Sequence, residues 1–266
     1  MSVYEIRSIS QVGTSEPFEL QISRGQISGH NFVHKFGYNP VIGVNDETLW
    51  TQGGVYVYPT TASTMYISSS STADTAAGTG ARTATVSGLD ANFIEISETV
   101  SLNGQAGVQL NGALNWYRVN RVIVNTAGSG GANAGVLYVG TEATPTGGVP
   151  TNKYATVAIG DNQTLMCVWT VPSGYTAYLH QKDVSASSSA GKFAIFSLIS
   201  RPKDGVFNVK DRVLLANTST AISYWNPIPF SECTDIEVRA AADTAGGTIT
   251  ASATLDLTYI KNKGPL

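Results

Sequence analysis

Three histidines, His30, His34 and His180, supply all the imidazole in the chain, and their spacing decides what chemistry they can support. His30 and His34 stand four residues apart, which on a helix would turn both toward one metal. The surrounding HNFVHKFGYNP does not read as helical. On an extended segment the two still share a side, so a metal held between chains at an oligomer axis is one reading; ordinary polar contacts are the other, and preferred, one. His180 lies in the alternating run YTAYLHQKDV with no Gly-x-Ser-x-Gly elbow to bring it a nucleophile, so a serine triad is not indicated. Glu95 and Glu98, in FIEISE, fall on opposite faces of a strand and cannot converge as an acid/base couple. Asp74, Asp90, Asp161 and Asp243 sit in Gly- and Asn-rich loops without the Asp-x-Asp-x-Asp spacing that gathers oxygens around calcium. They read as turn formers. No catalytic residue, metal site or cofactor is assigned, and the expectation is a protein that is not an enzyme.

The stretch GTGARTATVSGLD, residues 78–90, opens like a phosphate-binding loop. Such a loop needs a helix whose N-terminus faces the anion. Here ARTATVSGL alternates as a strand and turns at residues 88–92 into FIEISETVSL. No Lys-Ser or Lys-Thr pair follows the glycines, and the third glycine of the dinucleotide fingerprint is missing. Gly78 and Gly80 therefore read as hairpin glycines.

Charged residues make up 13% of the 266, the formal net charge is −3 and the pI is about 5.6. No basic footprint exists for a phosphate backbone, which disfavours nucleic acid as a partner. The start MSVYEIRS lacks a basic region followed by an apolar run, and no apolar run approaches the ~20 residues that span a bilayer. A soluble, cytosolically made protein without membrane contact is expected. Cys167 and Cys233 lie in apolar stretches and read as buried thiols, with a disulfide unneeded. The surplus of Ser, Thr, Gly and Ala gives flat, neutral, hydrogen-bonding surfaces that suit subunits packed against neighbours.

The elements that must position these residues are strands. Period-two alternation recurs in ARTATVSGL, FIEISETVSL, YRVNRVIVN, DIEVRAAA and TITASATLDLTYI. In the last, Ile249, Ala251, Ala253, Leu255, Leu257 and Tyr259 are expected to face a core. Glycine-rich turns such as NTAGSGGANAG and VPSGY separate the strands, and no stretch shows sustained helical periodicity. The fold class is all-β, an antiparallel β-sandwich of jelly-roll type. TADTAAGTGARTATV and AADTAGGTITASATL share an ADTAxGT core, which two related sandwich halves would produce, as would convergence on one hairpin type.

Residues 1–54 lack sustained alternation and read as an extended N-terminal arm or docking segment, or equally as a segment that wraps its own sandwich, with residues 55–125 and 126–266 as successive parts of the sandwich. Phe32, His34, Phe36, Tyr38 and Trp50 are the arm's candidate interface residues. Deleting residues 1–50 is expected to leave the β-rich domain folded. Trp116 and Trp169 lie in strand-like runs and read as core or interface. Tyr224 and Trp225, in SYWNPIPF, are flanked by prolines and read as an exposed contact loop, able to anchor a neighbouring subunit or to stack on a sugar.

FVHKFGYNP, GGVYVYP, DTAAGTGARTATVSGLDANFIEISETVSLNG, RVIVNTAGSGGANAG and NQTLMCVWTVPSGYTAYL together resemble a family of virion structural proteins of tailed bacteriophages common among marine phages, over roughly residues 30–180. The resemblance implies a place in a phage particle and carries over no functional residue. It does not say which place; the first expectation is a non-enzymatic structural component of the virion, assembled in the host cytoplasm, as an exterior capsid decoration, head-fibre or knob protein. Its partners would be itself, as a homo-oligomer expected to be a trimer and stabilised by symmetric assembly, and other virion proteins. The alternative is a tail-associated or receptor-binding module that meets a host surface glycan.

Overall fold

Alternation fixes which residues face a core, and pairing then decides how many cores there are. A computed structural model of the chain describes residues 16–111, 114–188, 191–245 and 249–263. A short helix, α1 (Phe18–Ser23), is followed by β1 (His30–Asn39) and β2 (Glu47–Thr48), which begin one sandwich. A second sandwich is built by β3 (Tyr66–Ser69), β4 (Ala81–Asp90), β5 (Glu95–Ser101), β6 (Val108–Gln109), β7 (Trp116–Ala127), β8 (Leu137–Gly140) and β9 (Ala155–Val157). The chain then completes the first with β10 (Val168–Thr170), β11 (Tyr175–Ser188), β12 (Ala194–Arg201), β13 (Asn208–Leu215), β14 (Ser219–Phe230), β15 (Asp235–Ala242) and β16 (Ile249–Lys261).

The first sandwich stacks a β1-β16-β11-β14 sheet on a β10-β15-β12-β13 sheet. Both β2 and β10 pair with β15, at Thr48↔Arg239 and Val168↔Glu237. The Cys167 amide donates to the Leu49 carbonyl at 2.8 Å, so β2 and β10 are two pieces of one interrupted strand. Counted that way, eight strands run 1-8-3-6 and 2-7-4-5, the double Greek key of a jelly roll. The inner faces carry Leu255, Leu257, Phe196, Leu198, Ile236 and Val238 in one core. Ile249, Ala251 and Ala253 are buried as their alternation requires, with Tyr259 packed at the margin.

The second sandwich stacks β6-β3-β8-β9 on β5-β4-β7 around Met65, Ile67, Val86, Leu110 and Trp116. It is an insertion, residues 50–166, spliced into the middle of a jelly-roll strand. Where the chain leaves and returns, Gly37 of β1 lies so close that an added Cβ would sit 2.0 Å from the Leu49 carbonyl oxygen.

Three sequence expectations are corrected by this architecture. Within the described part of residues 1–54, the arm is no arm: β1 pairs along its full length with β16, from His30↔Ile260 to Asn39↔Ala251. Deleting residues 1–50 would therefore remove an edge strand and half of the split strand. The boundary at residues 125 and 126 falls inside β7, because the true division follows the insertion rather than a halfway point. The two ADTAxGT segments place their aspartates differently, with Asp74 fully buried and Asp243 exposed between β15 and β16.

Candidate functional site

Two acidic residues of β15 control the seam between the jelly roll and its insertion. Ile236, Val238 and Ala240 point into the core, so Asp235, Glu237 and Arg239 lie on the sheet's outer face. That face is covered by the first residues of the insertion, with Trp50, Tyr56 and Tyr58 packed on Met166 and Val168.

Asp235 accepts hydrogen bonds from Arg118 Nε at 2.9 Å and Nη2 at 3.2 Å, from Arg201 Nε at 3.1 Å and Nη2 at 2.5 Å, and from Thr170 Oγ1 at 2.6 Å. Arg118 belongs to β7 of the insertion, and its Nη1 reaches the Pro59 and Tyr117 carbonyls. Two residues along, Glu237 is held by Thr48 Oγ1, by the Tyr58 hydroxyl at 3.3 Å and by Arg239 Nε at 2.8 Å. Burial and the Glu237 charge push the Tyr58 phenol well above its usual range, so it stays a donor. With five donors on one carboxylate and three groups on the other, neither is placed to take a proton from a substrate. The arrangement is a clamp.

Above the clamp lies a cleft of about 220 Å³ between the two sandwiches, walled by Tyr58, Phe93, Tyr117, Arg201, Lys203 and Cys233. Arg118 stacks 4.1 Å from the Tyr117 ring centroid.

A second contact closes the jelly roll's β1 edge. Arg121 of β7 donates to the His34 carbonyl at 2.5 Å, and Lys35 reaches the Asn120 carbonyl. Lys35 is buried, and desolvation together with the Arg121 charge lowers its pKa to about 7. Between pH 7 and about 9 the unfolded chain keeps this ammonium protonated while the folded chain sheds the proton, so the unfolded state binds more protons and stability rises with pH. Below pH 7 both states are protonated and the contribution is flat. Above that window the Cys167 thiol, which burial pushes up to about 12, acts in the opposite sense. Lys35→Met should raise stability at pH 6 by about 1–3 kcal/mol and flatten the slope between pH 7 and 9. Urea unfolding across pH 6–9 checks this, and a variant slope equal to that of the natural chain would refute it.

The remaining predicted residues divide clearly. Phe32, His34, Phe36 and Tyr38 alternate along β1 on the face away from the core, with His34 Nδ1 2.5 Å from Asp256. Trp50 does not join them. It is 4% exposed, its indole N–H donating to the Gly53 carbonyl and its ring edge-on to Tyr56, because it fills the seam. Tyr224 is likewise no loop contact: it lies within β14, half-buried, with its hydroxyl on Asp211, which also pairs with buried Lys182. Trp225, its neighbour, is 97% exposed. Trp116 and Trp169 are buried, as are the two free thiols of Cys167 and Cys233. Glu95 and Glu98 do face opposite ways, Glu98 accepting from the Asn111 amide.

Gly78 and Gly80 turn into β4 without a helix, yet the loop does seat an anion. It is the chain's own Asp74, whose Oδ1 accepts from the Ala81 and Ala134 amides at 2.7 and 2.8 Å, and whose Oδ2 accepts from Gly135 N and Ser69 Oγ at 2.8 and 2.5 Å.

Sequence reasoning missed Arg118, Arg201, Asp235 and Glu237. Charges in YRVN and DIEV look solvent-facing, and the partners are 117 residues apart in Arg118 and Asp235.

No protein-family model matches the chain, and no curated protein matches it. Among solved structures, it is similar to one described as the structure of infectious bursal disease virus Gx strain, at 10% identity over 89% of this chain and 73% of that one, with a TM-score of 0.26. It is also similar to the VP2 subviral particle of the same virus, at 12% identity over 89% and 72% of the two chains, with a TM-score of 0.21. At these TM-scores the likeness carries no argument about function. No helix among the described residues is long and apolar enough to cross a membrane.

Proposed function

We propose that this protein is a non-enzymatic structural subunit of a bacteriophage virion, an exterior capsid decoration, head-fibre or knob component that assembles as a homo-oligomer, with a trimer as the specific expectation. The observation that carries the reading is Trp225. The strands β13 and β14 are the edges of the two jelly-roll sheets and are joined through residues 216–218, so they form one open side of the sandwich. The β1 side is instead tied to the insertion.

On the open side, Leu179 pairs with Ile228 and Gln181 with Ser223, which sets four residues of β14 against His180 alone. The bulge thrusts Trp225 outward. Pro227 and Pro229 lack amide protons and blunt this edge against open-ended strand addition. Val209 and Leu214 of β13, the edge strand of the facing sheet, are exposed as well. An indole so placed is suited to burial against a second copy of the chain. The jelly roll is used by viral capsid domains and also by lectins, a fold-level analogy, and the sequence resemblance favours the first.

Trp225→Ala should weaken self-association by at least about 2 kcal/mol, roughly 30-fold, while leaving the fold intact. Sedimentation equilibrium of both proteins decides this: a monomeric natural chain, or a variant that assembles equally well, removes the support. The same exposed indole favours a second reading, a tail-associated or receptor-binding module whose Trp225 stacks on a host glycan. Saturable glycan binding by a chain that stays monomeric would select it.

A further inference from the structure

The cleft above the Asp235 clamp has more cation than its own carboxylates use. Arg118, Arg201 and Lys203 face Asp235 and Asp204 there, three positive charges against two negative ones. Asp235 is already filled by five donors. Arg201 spends Nε and Nη2 on it and lies over the adjacent Tyr58 and Phe207 rings, 4.6 Å from each centroid. Its Nη1 edge is left without a hydrogen-bond acceptor among the described residues. The Lys203 ammonium has no hydrogen-bond or ion-pair partner among them either; its contact is the Phe93 ring, 5.6 Å away.

The backbone is strained at the same place. Six described non-glycine residues have positive φ, and three of them, Phe93 at 61°, Asp204 at 60° and Cys233 at 59°, line this one cleft. For Phe and Cys this conformation is uncommon, and strained residues cluster at ligand clamps and other functional sites. The walls come from both sandwiches, and the clamp fixes them relative to each other, so the opening is preformed.

We propose that this cleft binds a single sugar-acid ring, its carboxylate on Arg201 Nη1 and Lys203 Nζ and its hydroxyls on the Asp204 carboxylate. Two unused cationic donors call for a carboxylate. Asp204 at the mouth disfavours an ion that carries charge alone and favours a ligand that also brings hydroxyl donors. The Tyr117 hydroxyl, which donates to the Thr60 carbonyl at 3.4 Å, keeps its oxygen as an acceptor in the lining. The site is separate from Trp225 and stands whether or not the chain assembles through that residue.

The test is titration of the full chain, by ¹H–¹⁵N chemical shifts or calorimetry, with sodium glucuronate, glucose, sodium acetate and inorganic phosphate at one ionic strength. Glucuronate should saturate and bind at least about tenfold more tightly than glucose, one charge-assisted pair being worth that factor, and more tightly than phosphate, which meets the Asp204 charge and brings no ring hydroxyls to it. Lys203→Gln should weaken glucuronate by about the same factor. Asp204→Gly, which tolerates the positive φ, should weaken glucuronate but not acetate. Both residues are exposed, and circular dichroism confirms that the variants fold. No saturable glucuronate signal overturns the proposal, as does phosphate binding equally well or Lys203→Gln with unchanged affinity.

Discussion

Asp235→Ala should destabilise the protein by about 3–5 kcal/mol, the cost of removing one member of a buried ion cluster and leaving the others uncompensated. The carboxylate has 4% side-chain exposure and Arg118 has 6%, so water reaches the vacated position only from the cleft and replaces the lost partner incompletely. Arg118 and Arg201 would be left facing each other with Thr170 also unpaired. Because Arg118 comes from the insertion and Arg201 from the jelly roll, the loss should fall on the coupling between the two. Urea unfolding of the natural chain is expected to be a single transition, and that of Asp235→Ala to divide into two, since separate cores need not unfold together. The double variant Arg118→Met, Asp235→Leu should lose less than Asp235→Ala, because it removes buried charge along with its partner. A single transition with a loss below about 1 kcal/mol would show that the clamp does not join the two units.

How much of the fold is legible in the sequence depends on which residue takes the inward position. In β16, Leu255 and Leu257 alternate with Thr254 and Asp256, and the strand and its buried face follow directly. In β1 the pattern is inverted: Val33, Lys35, Gly37 and Asn39 turn inward while Phe32, Phe36 and Tyr38 turn outward, so the segment gives no strand signal. Gly37 is small because the split strand crosses it, and Lys35 is polar because it caps a carbonyl of the insertion. Neither cause is local. The insertion itself leaves no mark for the same reason, since both sandwiches share one period and only the pairing of Thr48 and Val168 with β15 tells them apart. The exposure of Trp225 is readable from its prolines. The burial of Tyr224 beside it is not, because it depends on Asp211 from the facing sheet.

Asp74→Ala should cost about 4 kcal/mol or more, since it strands four donors at roughly 1 kcal/mol or above apiece. Three are backbone amides, of Ala81, Ala134 and Gly135, and the fourth is the Ser69 hydroxyl. They come from three separate segments of the inserted sandwich, so the carboxylate ties the start of β4 to the loop before β8 and to the end of β3. Asp74→Asn keeps the shape but turns an NH₂ toward amide donors on one side, and should recover no more than half of the loss. The glycines answer to the same group: a Cβ on Gly80 would lie 2.1 Å from Asp74 Oδ1, and one on Gly78 would lie 2.0 Å from the Ala73 carbonyl oxygen. Gly80→Ala should therefore reproduce much of the Asp74→Ala defect without replacing a hydrogen-bonding side chain. Denaturant unfolding followed through Trp116, buried in this sandwich, reads all three variants. Stability within about 1 kcal/mol of the natural chain for Asp74→Ala would mean that the cradle is incidental. A large loss shared by Asp74→Ala and Gly80→Ala would mean that the glycines resemble those of a phosphate loop because they, too, let backbone amides close on an anion.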